Sequence, residues 1–252
     1  MVAVTDSYRE RPSRVPGAVV WTGVSGPSEK RVLPDGCMDL IWNGTDVLIA
    51  GPDTHAQVFA SATTTTMTGL RFAPGFGPRV IGLPAHALTD LRVPLDAAWS
   101  PDATRRIADD LAASDSPGRV LEDAALRIAG SSDRESLLVE NVVARARRGD
   151  SVTAIAAAVG WSTRHLQRRC RHAFGYGAKT LERILRMGRA VELAYDGMSF
   201  AATAARSGYA DQAHLAREVK DLAGVSLGQL VASAGSEANS STELPSGSWI
   251  TA

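Results

Sequence analysis

The chain has 252 residues and a formal net charge of zero, with 44% hydrophobic and 21% charged residues. This composition supports buried cores in one large or two compact domains and excludes disordered and collagen-like classes. No apolar stretch approaches the roughly 18 residues of a membrane span, and the N-terminus lacks the apolar core of a secretory signal. We therefore expect a cytoplasmic protein with no membrane partner. Its two cysteines, Cys37 and Cys170, exclude a disulfide scaffold and a four-cysteine zinc site.

Charge is distributed unevenly along the chain. Residues 1–140 contain 13 basic and 18 acidic residues, a net charge of −5, whereas residues 141–230 contain 14 basic and 7 acidic residues, a net charge of +7. Electrostatic fields act locally, so the neutral total does not argue against a polyanionic partner. An acidic portion followed by a basic one is typical of a sensing or assembly domain joined to a nucleic-acid-binding domain.

The first portion is predicted to be rich in short strands separated by Gly, Pro, Asn and Asp. The predicted strands cover residues 18–22, 31–33, 38–42, 47–50, 57–60 and 64–72. Asn43-Gly44, between two apolar segments, is the strongest hairpin signal. This regular spacing favours an antiparallel barrel or sandwich over a parallel sheet.

Helical patterns follow at residues 84–88, 101–113, 118–128 and 134–147. In the last of these, Leu138, Val142 and Val143 form an apolar stripe that we interpret as core-facing, with a dimerisation surface as the alternative. The predicted class is α+β: an N-terminal antiparallel β barrel or sandwich with flanking helices, then an all-α C-terminal domain. We expect a sensing or dimerisation domain with a helical connector at 1–148, a DNA-binding domain at 149–232 and a flexible tail at 233–252.

The basic portion contains an internal repeat. Residues 151–160 and 164–174 form two short helical patterns joined by a Gly turn, and residues 199–208 and 212–222 repeat the arrangement. The turn glycines, Gly160 and Gly208, are 48 residues apart, and residues 179–195 form a long helical pattern between the units. Two helix-turn-helix units joined by a bridging helix are therefore predicted.

The second helix of the first unit is predicted to be amphipathic. Its apolar side contains Leu166, Cys170 and Phe174, and the opposite side is basic. Arginine forks match guanine edges, glutamine can pair with adenine, and backbone donors at a helix N-terminus can bind phosphate. A merely solvated basic face is the alternative, which the twofold repetition disfavours. The predicted nucleic-acid-binding residues of this unit and the start of the bridge are Ser162, Thr163, Arg164, Gln167, Arg168, Arg171 and Lys179.

The second unit carries a weaker version of the same pattern. Asp211, Glu218 and Asp221 are expected to dilute its positive field, so the first unit should dominate base reading. A plain helical-bundle role is the alternative for this unit. Its predicted nucleic-acid-binding residues are Gln212, Ala213, His214, Arg217 and Lys220.

Residues 151–231 resemble the DNA-binding domain of the AraC/XylS family of transcriptional regulators. The motifs that carry the resemblance are Ile155-Ala156, Val159-Gly160, Ser162 with Leu166 and Arg168, Arg189-Ala190, the segment 208–215 and Gly224-Val225-Ser226. Ala210, Ala213 and Leu215 replace the two serines and the phenylalanine usual in the family, and we expect the lost hydroxyls to weaken capping and phosphate contacts. Gly177-Ala178 and Ser226-Leu227 replace the usual Ser-Pro, so looser turns are expected.

This resemblance implies double-stranded DNA as the partner, with the two units entering successive major-groove faces. It also implies that a small-molecule effector, a second copy of the chain and RNA polymerase are candidate partners. The first portion is similar to an N-terminal domain of uncharacterised role found in some bacterial regulators. The motifs that carry this similarity are the segments 33–42, 50–53 and 71–75. It implies a β-rich sensing or dimerising module.

Enzymatic and metal chemistry are disfavoured by the residues. A Cys37 nucleophile is conceivable, but the flanking Asp35 and Asp39 would raise the pKa of its thiol. His165 and His172 have no third ligand at helical spacing, and there is no phosphate-cradling glycine motif. We therefore expect no enzyme, no catalytic residues, no metal and no cofactor. The alternatives left open are a thiol-dependent enzyme in the first portion and a protein-interaction module that uses the basic face.

Overall fold

The structure is a computed structural model that describes residues 7–27, 29–128, 134–237 and 249–251. Antiparallel sheets occupy the first part of the chain and helices the second, so the predicted α+β class is confirmed. Among the described residues, no helix combines the length and apolar character that crossing a bilayer requires.

A six-stranded antiparallel sheet, with strand order β1-β2-β7-β4-β5-β8, organises the first domain. Its strands are β1 (Ser7–Pro12), β2 (Ala18–Ser25), β4 (Met38–Trp42), β5 (Val47–Ala50), β7 (Thr65–Phe72) and β8 (Arg92–Pro94). The predicted Asn43-Gly44 hairpin joins β4 to β5, with Trp42 opposite Val47. Because β1 and β8 are the edges, this sheet is open, and the described strands do not close into a barrel.

A second, smaller sheet has the order β6-β3-β9 and contains β3 (Glu29–Val32), β6 (Gln57–Ala60) and β9 (Trp249–Thr251). The backbone of β9 pairs with β3 in antiparallel register. Within the tail predicted to be flexible from residue 233, a helix continues to Glu237 and residues 249–251 form a strand, and its flexibility stays a prediction. The rest of that tail, 238–248 and 252, lies outside the described residues.

Ten α-helices are present among the described residues. They are α1 (Gly77–Ile81), α2 (Pro101–Ala112), α3 (Pro117–Ile128), α4 (Arg134–Arg147), α5 (Val152–Ala158), α6 (Thr163–Phe174), α7 (Ala178–Tyr195), α8 (Phe200–Arg206), α9 (Gln212–Ala223) and α10 (Leu227–Glu237). Single 3₁₀ turns occur at Ala85–Ala87 and Leu95–Ala97.

The main sheet buries a different kind of side chain on each face. Leu40, Leu70 and Phe72 are fully buried in a core completed by residues of α1, α2 and α3. Strand alternation places Trp21, Asp39 and Arg71 on the opposite face, where the Trp21 indole donates a 2.7 Å hydrogen bond to Asp39 and Arg71 forms a 3.2 Å ion pair with it. Burial raises the pKa of the Asp39 carboxyl, and the charge of Arg71 and the hydrogen bonds from Trp21 and Arg71 oppose that rise.

The second core is formed by the C-terminal helices, and α4 belongs to it. Val142, Val143 and Ala146 of α4 are buried with residues of α5, α6 and α7. The apolar stripe predicted on α4 therefore faces a core, but that core is the one formed by the C-terminal helices. In its packing, α4 joins the C-terminal helices, and the domain boundary after residue 148 stays a prediction.

Candidate nucleic-acid interface

The first helix-turn-helix unit consists of α5, a tight turn and α6. The Ser151 hydroxyl accepts a hydrogen bond from the Ala154 amide and caps α5, and the Ser162 hydroxyl accepts one from the His165 amide and caps α6. Between the helices, Gly160 has φ +72°, in the left-handed region that glycine adopts without steric cost. These are the signals from which the sequence predicted the unit.

The two sides of α6 differ as predicted. Leu166, Cys170 and Phe174 are buried in the second core, while the opposite side is exposed to solvent. We define the reading face of α6 as its exposed side chains Arg164, Gln167, Arg168 and Arg171. Ser162 and Thr163 are also exposed, at the N-terminus of the helix. The structure thus leaves every predicted residue of this unit accessible, and its contact with DNA stays a prediction.

The second unit, α8 and α9, repeats this geometry with one change at the cap. Ser199 caps α8 through the Ala202 amide, and Gly208 has φ +78°. At α9 the cap is Asp211, whose carboxylate accepts a 2.6 Å hydrogen bond from the His214 amide. The weakened cap expected from Ala210 is therefore wrong, because the next residue supplies a stronger, charge-assisted acceptor.

The acidic residues of α9 do not all face outward. Glu218 is buried and turned toward α7, where it accepts hydrogen bonds from Arg186 at 2.6 Å and Arg183 at 3.2 Å. Burial alone would favour the neutral acid, but these two guanidinium groups lower the pKa of Glu218. The expectation that Glu218 dilutes the outward field is therefore wrong, because its charge is neutralised inside the domain.

The outward side of α9 is polar with two cations. We define the reading face of α9 as its exposed residues Gln212, Ala213, Arg217 and Lys220. His214 is half-buried, and its ring contacts the Tyr209 ring at 5.2 Å between centroids. Asp221 is exposed and pairs with Arg183 at 2.6 Å, so it does reduce the positive charge at this end of the helix.

The turns that follow the two units differ from each other. Ser226 donates its amide to the Gln229 side chain at 2.9 Å, and the Ser226 hydroxyl accepts from the Gln229 amide at 3.3 Å. This reciprocal capping box fixes the start of α10, so the looser turn expected there is wrong. Gly177 begins α7 without a side-chain cap. Lys179, in the first turn of α7, is exposed and bonds to Glu182 at 2.7 Å.

Neither cysteine has the environment of a nucleophile. Burial, followed by the nearby Asp35 carboxylate, raises the pKa of the Cys37 thiol well above its ordinary value. Burial raises the pKa of Cys170 to about 12. Within the described part of the chain, His, Cys, Asp and Glu side chains form no group of three that could hold a metal ion.

Comparisons with known proteins match two separate segments of the chain. Residues 155–233 match the family described as a helix-turn-helix domain, which confirms the resemblance drawn from the sequence over the C-terminal portion. Residues 18–94 match a family described as a domain of unknown function (DUF6597), consistent with the similarity seen in the first portion. None of the curated proteins matches the chain significantly.

Among solved structures, the chain is similar to ToxT of Vibrio cholerae. The crystal structure from strain O395 has a TM-score of 0.43 and 9% identity, and the alignment covers 90% of this chain and 96% of ToxT. ToxT bound to (E)-4-(8-methylnaphthalen-1-yl)but-3-enoic acid has a TM-score of 0.47 and 9% identity over 89% and 98% of the two chains. The unsaturated-fatty-acid-bound form from strain SCE256 has a TM-score of 0.43 and 10% identity over 90% and 91%. At this similarity, the ligands of ToxT say nothing about this chain.

Proposed function

We propose that this chain, an AraC-type helix-turn-helix protein, is a sequence-specific regulator of transcription that binds double-stranded DNA through α6 and α9. The observation that carries the proposal is the twofold repeat in which a capped second helix buries its apolar side and exposes its polar side. A helix of this kind fits the major groove of B-DNA, where its side chains can reach base edges.

The charges of the reading faces support a nucleic-acid partner. Arg164, Arg168 and Arg171 are exposed on α6, and Arg217 and Lys220 are exposed on α9. Since Glu218 is neutralised within the domain, the positive charge of α9 is less diluted than its sequence indicates. A basic surface of this kind binds phosphates by releasing counterions, so the affinity should fall steeply as salt is raised.

The experiment that tests this function is the selection of bound duplexes from a random pool by the purified full chain. A regulator of the proposed kind enriches a defined sequence with one or two half-sites. Retention of duplexes without any enriched sequence would contradict specific recognition. Displacement of bound DNA by an acidic protein but not by competing duplex would favour the alternative of a protein-interaction module.

Substitutions on the reading face of α6 separate base reading from phosphate binding. Arg164→Ala should cost about 1–3 kcal/mol on the selected duplex and much less on random duplex, because a bidentate base contact is lost. Lys179→Ala should weaken both by a similar factor, since a phosphate contact is independent of sequence. Arg105→Ala on α2, which is 71% exposed in the first domain, is the matched control and should change neither affinity. Equal losses on both duplexes for Arg164→Ala would refute the assigned base contact.

We assign the first domain a regulatory rather than an enzymatic role. The raised pKa of the partly buried Cys37 thiol disfavours the alternative of a thiol-dependent enzyme. Loss of a measurable turnover on thiol alkylation would restore that alternative. Binding of a small-molecule effector, dimerisation, contact with RNA polymerase and a cytoplasmic location stay predictions from the sequence.

A further inference from the structure

The first domain contacts the C-terminal ends of both recognition helices. At the end of α6, the Thr89 hydroxyl lies 3.3 Å from the Gly175 carbonyl and 3.3 Å from the Ala85 carbonyl, and its one proton is shared between these two acceptors. At the end of α9, the Ala56 amide donates to the Leu222 carbonyl at 2.7 Å, and the Arg31 guanidinium donates to the Ala223 carbonyl at 3.0 Å. Each donor satisfies a carbonyl that the helix itself leaves unpaired, so these contacts belong to the helix ends.

One short segment reaches both helix ends. We call residues 51–56 the strap. Pro52 packs against Gly175, where an added Cβ would overlap the proline ring, and Ala56 bonds to the end of α9. The two contact points are four residues apart and therefore separated by at most roughly 14 Å of extended chain. The strap thus ties the two helix-turn-helix units to the same few residues of the first domain.

The strap is itself held firmly by the segment that precedes β8. The Gly51 amide donates to the Leu91 carbonyl at 3.0 Å, and the Asp90 amide donates to the Pro52 carbonyl at 3.1 Å. The Asp90 carboxylate accepts two 2.7 Å hydrogen bonds from Thr54, one from its amide and one from its hydroxyl. Because these hydrogen bonds hold Gly51, Pro52 and Thr54, the strap is a rigid segment rather than a flexible loop.

Asp90 adopts a backbone conformation that supports this view. Its φ is +58°, a left-handed value found at no other non-glycine residue in the described part of the chain. Such a conformation costs free energy in an L-residue and persists only where the surroundings hold it in place. Here the two hydrogen bonds from Thr54 to the Asp90 carboxylate hold this conformation, and the same bonds keep the strap in position.

The end of α6 is embedded in the first domain more deeply than the end of α9. Tyr176, which follows the helix, is only 7% exposed, and a Cβ added at Gly36 would meet both its hydroxyl and Pro74. An added Cβ at Gly75 would overlap Phe174, so that turn also lies directly against the helix end. The segments that mark the first domain in sequence, at residues 33–42, 50–53 and 71–75, therefore meet around this one helix end.

The reading faces remain free while these contacts are made. The contacts lie at the C-terminal ends of α6 and α9, whereas Arg164, Gln167, Gln212 and Ala213 are exposed near the N-terminal ends. Without the first domain, the units are joined through α7 and the turns at its ends. The first domain adds a second connection between the same two units, which restrains their rotation about α7.

We propose that the strap, together with Arg31, fixes the separation and angle between the two reading faces, so that the first domain sets the half-site spacing that the protein accepts on DNA. This inference rests on the proposed function. It gives the first domain a defined structural means of regulation, because any ligand that shifts the strap alters the spacing without touching the reading faces.

The contact itself can be tested without DNA through the Ala56 amide. The Ala56 amide donates to a carbonyl of α9, so its rate of hydrogen exchange reports docking of α9 on the first domain. The neighbouring His55 is exposed and serves as the reference amide. In the wild-type full chain, Ala56 should exchange at least about tenfold more slowly than His55. Arg31→Met should reduce this ratio, and Arg105→Met, which removes an exposed arginine elsewhere, should not. Equal exchange of Ala56 and His55 in the wild type would overturn the proposal.

The consequence is tested on the duplex selected by the wild-type chain. Inserting one base pair between the half-sites rotates one against the other by roughly 34° and moves it by about 3.4 Å. We expect the wild type and Arg105→Met to lose about tenfold or more in affinity, and Arg31→Met to lose less than about threefold relative to its own affinity on the original site.

A second variant tests whether loosening the strap at a residue other than Arg31 has the same effect. Asp90→Gly removes the bonds to Thr54, and glycine accepts the positive φ, so the chain should fold while the strap loosens. It should show the same tolerance of the inserted base pair. If both variants retain the full wild-type penalty, the proposal is wrong although DNA is bound. If the wild type selects no duplex, the proposed function fails, and the spacing inference fails with it.

Discussion

Replacing Glu218 by glutamine separates two incompatible interpretations of α9. If Glu218 faced outward toward DNA, as the sequence predicts, Glu218→Gln would remove a repulsive charge and strengthen DNA binding. The structure instead places it between Arg183 and Arg186 of α7. The substitution should then destabilise the second domain and give no gain in affinity.

The magnitude follows from the contacts that are lost. The substitution weakens two charge-assisted hydrogen bonds and leaves the Arg186 side chain, which is 16% exposed, with Glu182 as its remaining acidic partner at 3.0 Å. Removing one partner of a fully buried pair costs about 3–5 kcal/mol, but Arg183 is partly exposed and can turn to water. We therefore expect a loss of about 2 kcal/mol in the free energy of unfolding.

The free energy of unfolding is measured by urea unfolding of the full chain. The affinity for DNA is then measured by titration without urea, where the variant is folded. Asp221→Asn is the matched control, because it also removes an acidic partner of Arg183 but is itself 57% exposed. It should cost less than about 1 kcal/mol. An unchanged unfolding midpoint for Glu218→Gln together with tighter DNA binding would refute the inward placement of this carboxylate.

Three further substitutions test features of the fold. Although burial opposes it, hydrogen bonds from the Arg11 and Ser13 side chains and the Arg14 amide lower the pKa of Glu122 from 4.5 to about 2. This carboxylate therefore stabilises the folded chain above pH 4.5 and loses that effect as the pH falls toward 2. Glu122→Gln should lower the free energy of unfolding by about 2 kcal/mol at pH 7, a value reduced because the arginine partners of Glu122 are half-exposed. Near pH 2 the same substitution should cost little, and an equal cost at the two pH values would contradict the lowered pKa. Gly69→Ala should cost about 1–3 kcal/mol, because the added methyl group overlaps the Trp21 indole. Gly23→Ala, whose Cβ would meet Trp21 at 3.7 Å, should cost far less, and equal unfolding midpoints would exclude the overlap. Asp211→Ala should cost about 1 kcal/mol and Asp211→Asn much less, since asparagine also caps a helix; equal losses measured by thermal unfolding would argue against the cap.

Much of the strand pattern of the first domain could be predicted because turn residues bracket it. The hairpin at Asn43-Gly44 is the clearest case: Gly44 has φ +97°, and the Asn43 side chain accepts hydrogen bonds from the Thr45 and Asp46 amides. Strand β1 carries no such signal. It is an edge strand whose charged residues are largely exposed, so its sequence lacks the apolar alternation by which strands are recognised.

The composition of helix α10 does not predict a helix. Its sequence is rich in Ala, Ser and Gly, which also characterises mobile segments, and it continues toward a polar tail. The Ser226 and Gln229 spacing, followed by buried Leu230, is nevertheless a helix-start signal that the sequence does contain.

The helical periodicity of α9 predicts part of the placement of Glu218. It lies three residues after Leu215 and four before Leu222, both buried, so a helical wheel puts it at the border of the apolar side. What the wheel cannot supply is the partner, because Arg183 and Arg186 belong to a different helix. The contacts of the strap are unpredictable for the same reason, since they join residues far apart in sequence.

The two helix-turn-helix units are more alike in their electrostatics than their sequences indicate. By sequence, α9 contains Arg217 and Lys220 with two acidic residues, which would cancel its charge. In the structure Glu218 is compensated within the domain, whereas Asp221 is exposed and pairs with Arg183. Asp211, which precedes α9, caps the helix, where a negative charge is favourable. Of the two acidic residues within α9, only Asp221 therefore reduces the charge of its outward side, so Arg217 and Lys220 leave a net positive charge there, and we expect the second unit to contribute to the salt dependence of DNA binding. If Lys220→Gln leaves the slope of log affinity against log salt unchanged, this second unit acts as a scaffold and α6 alone holds the DNA.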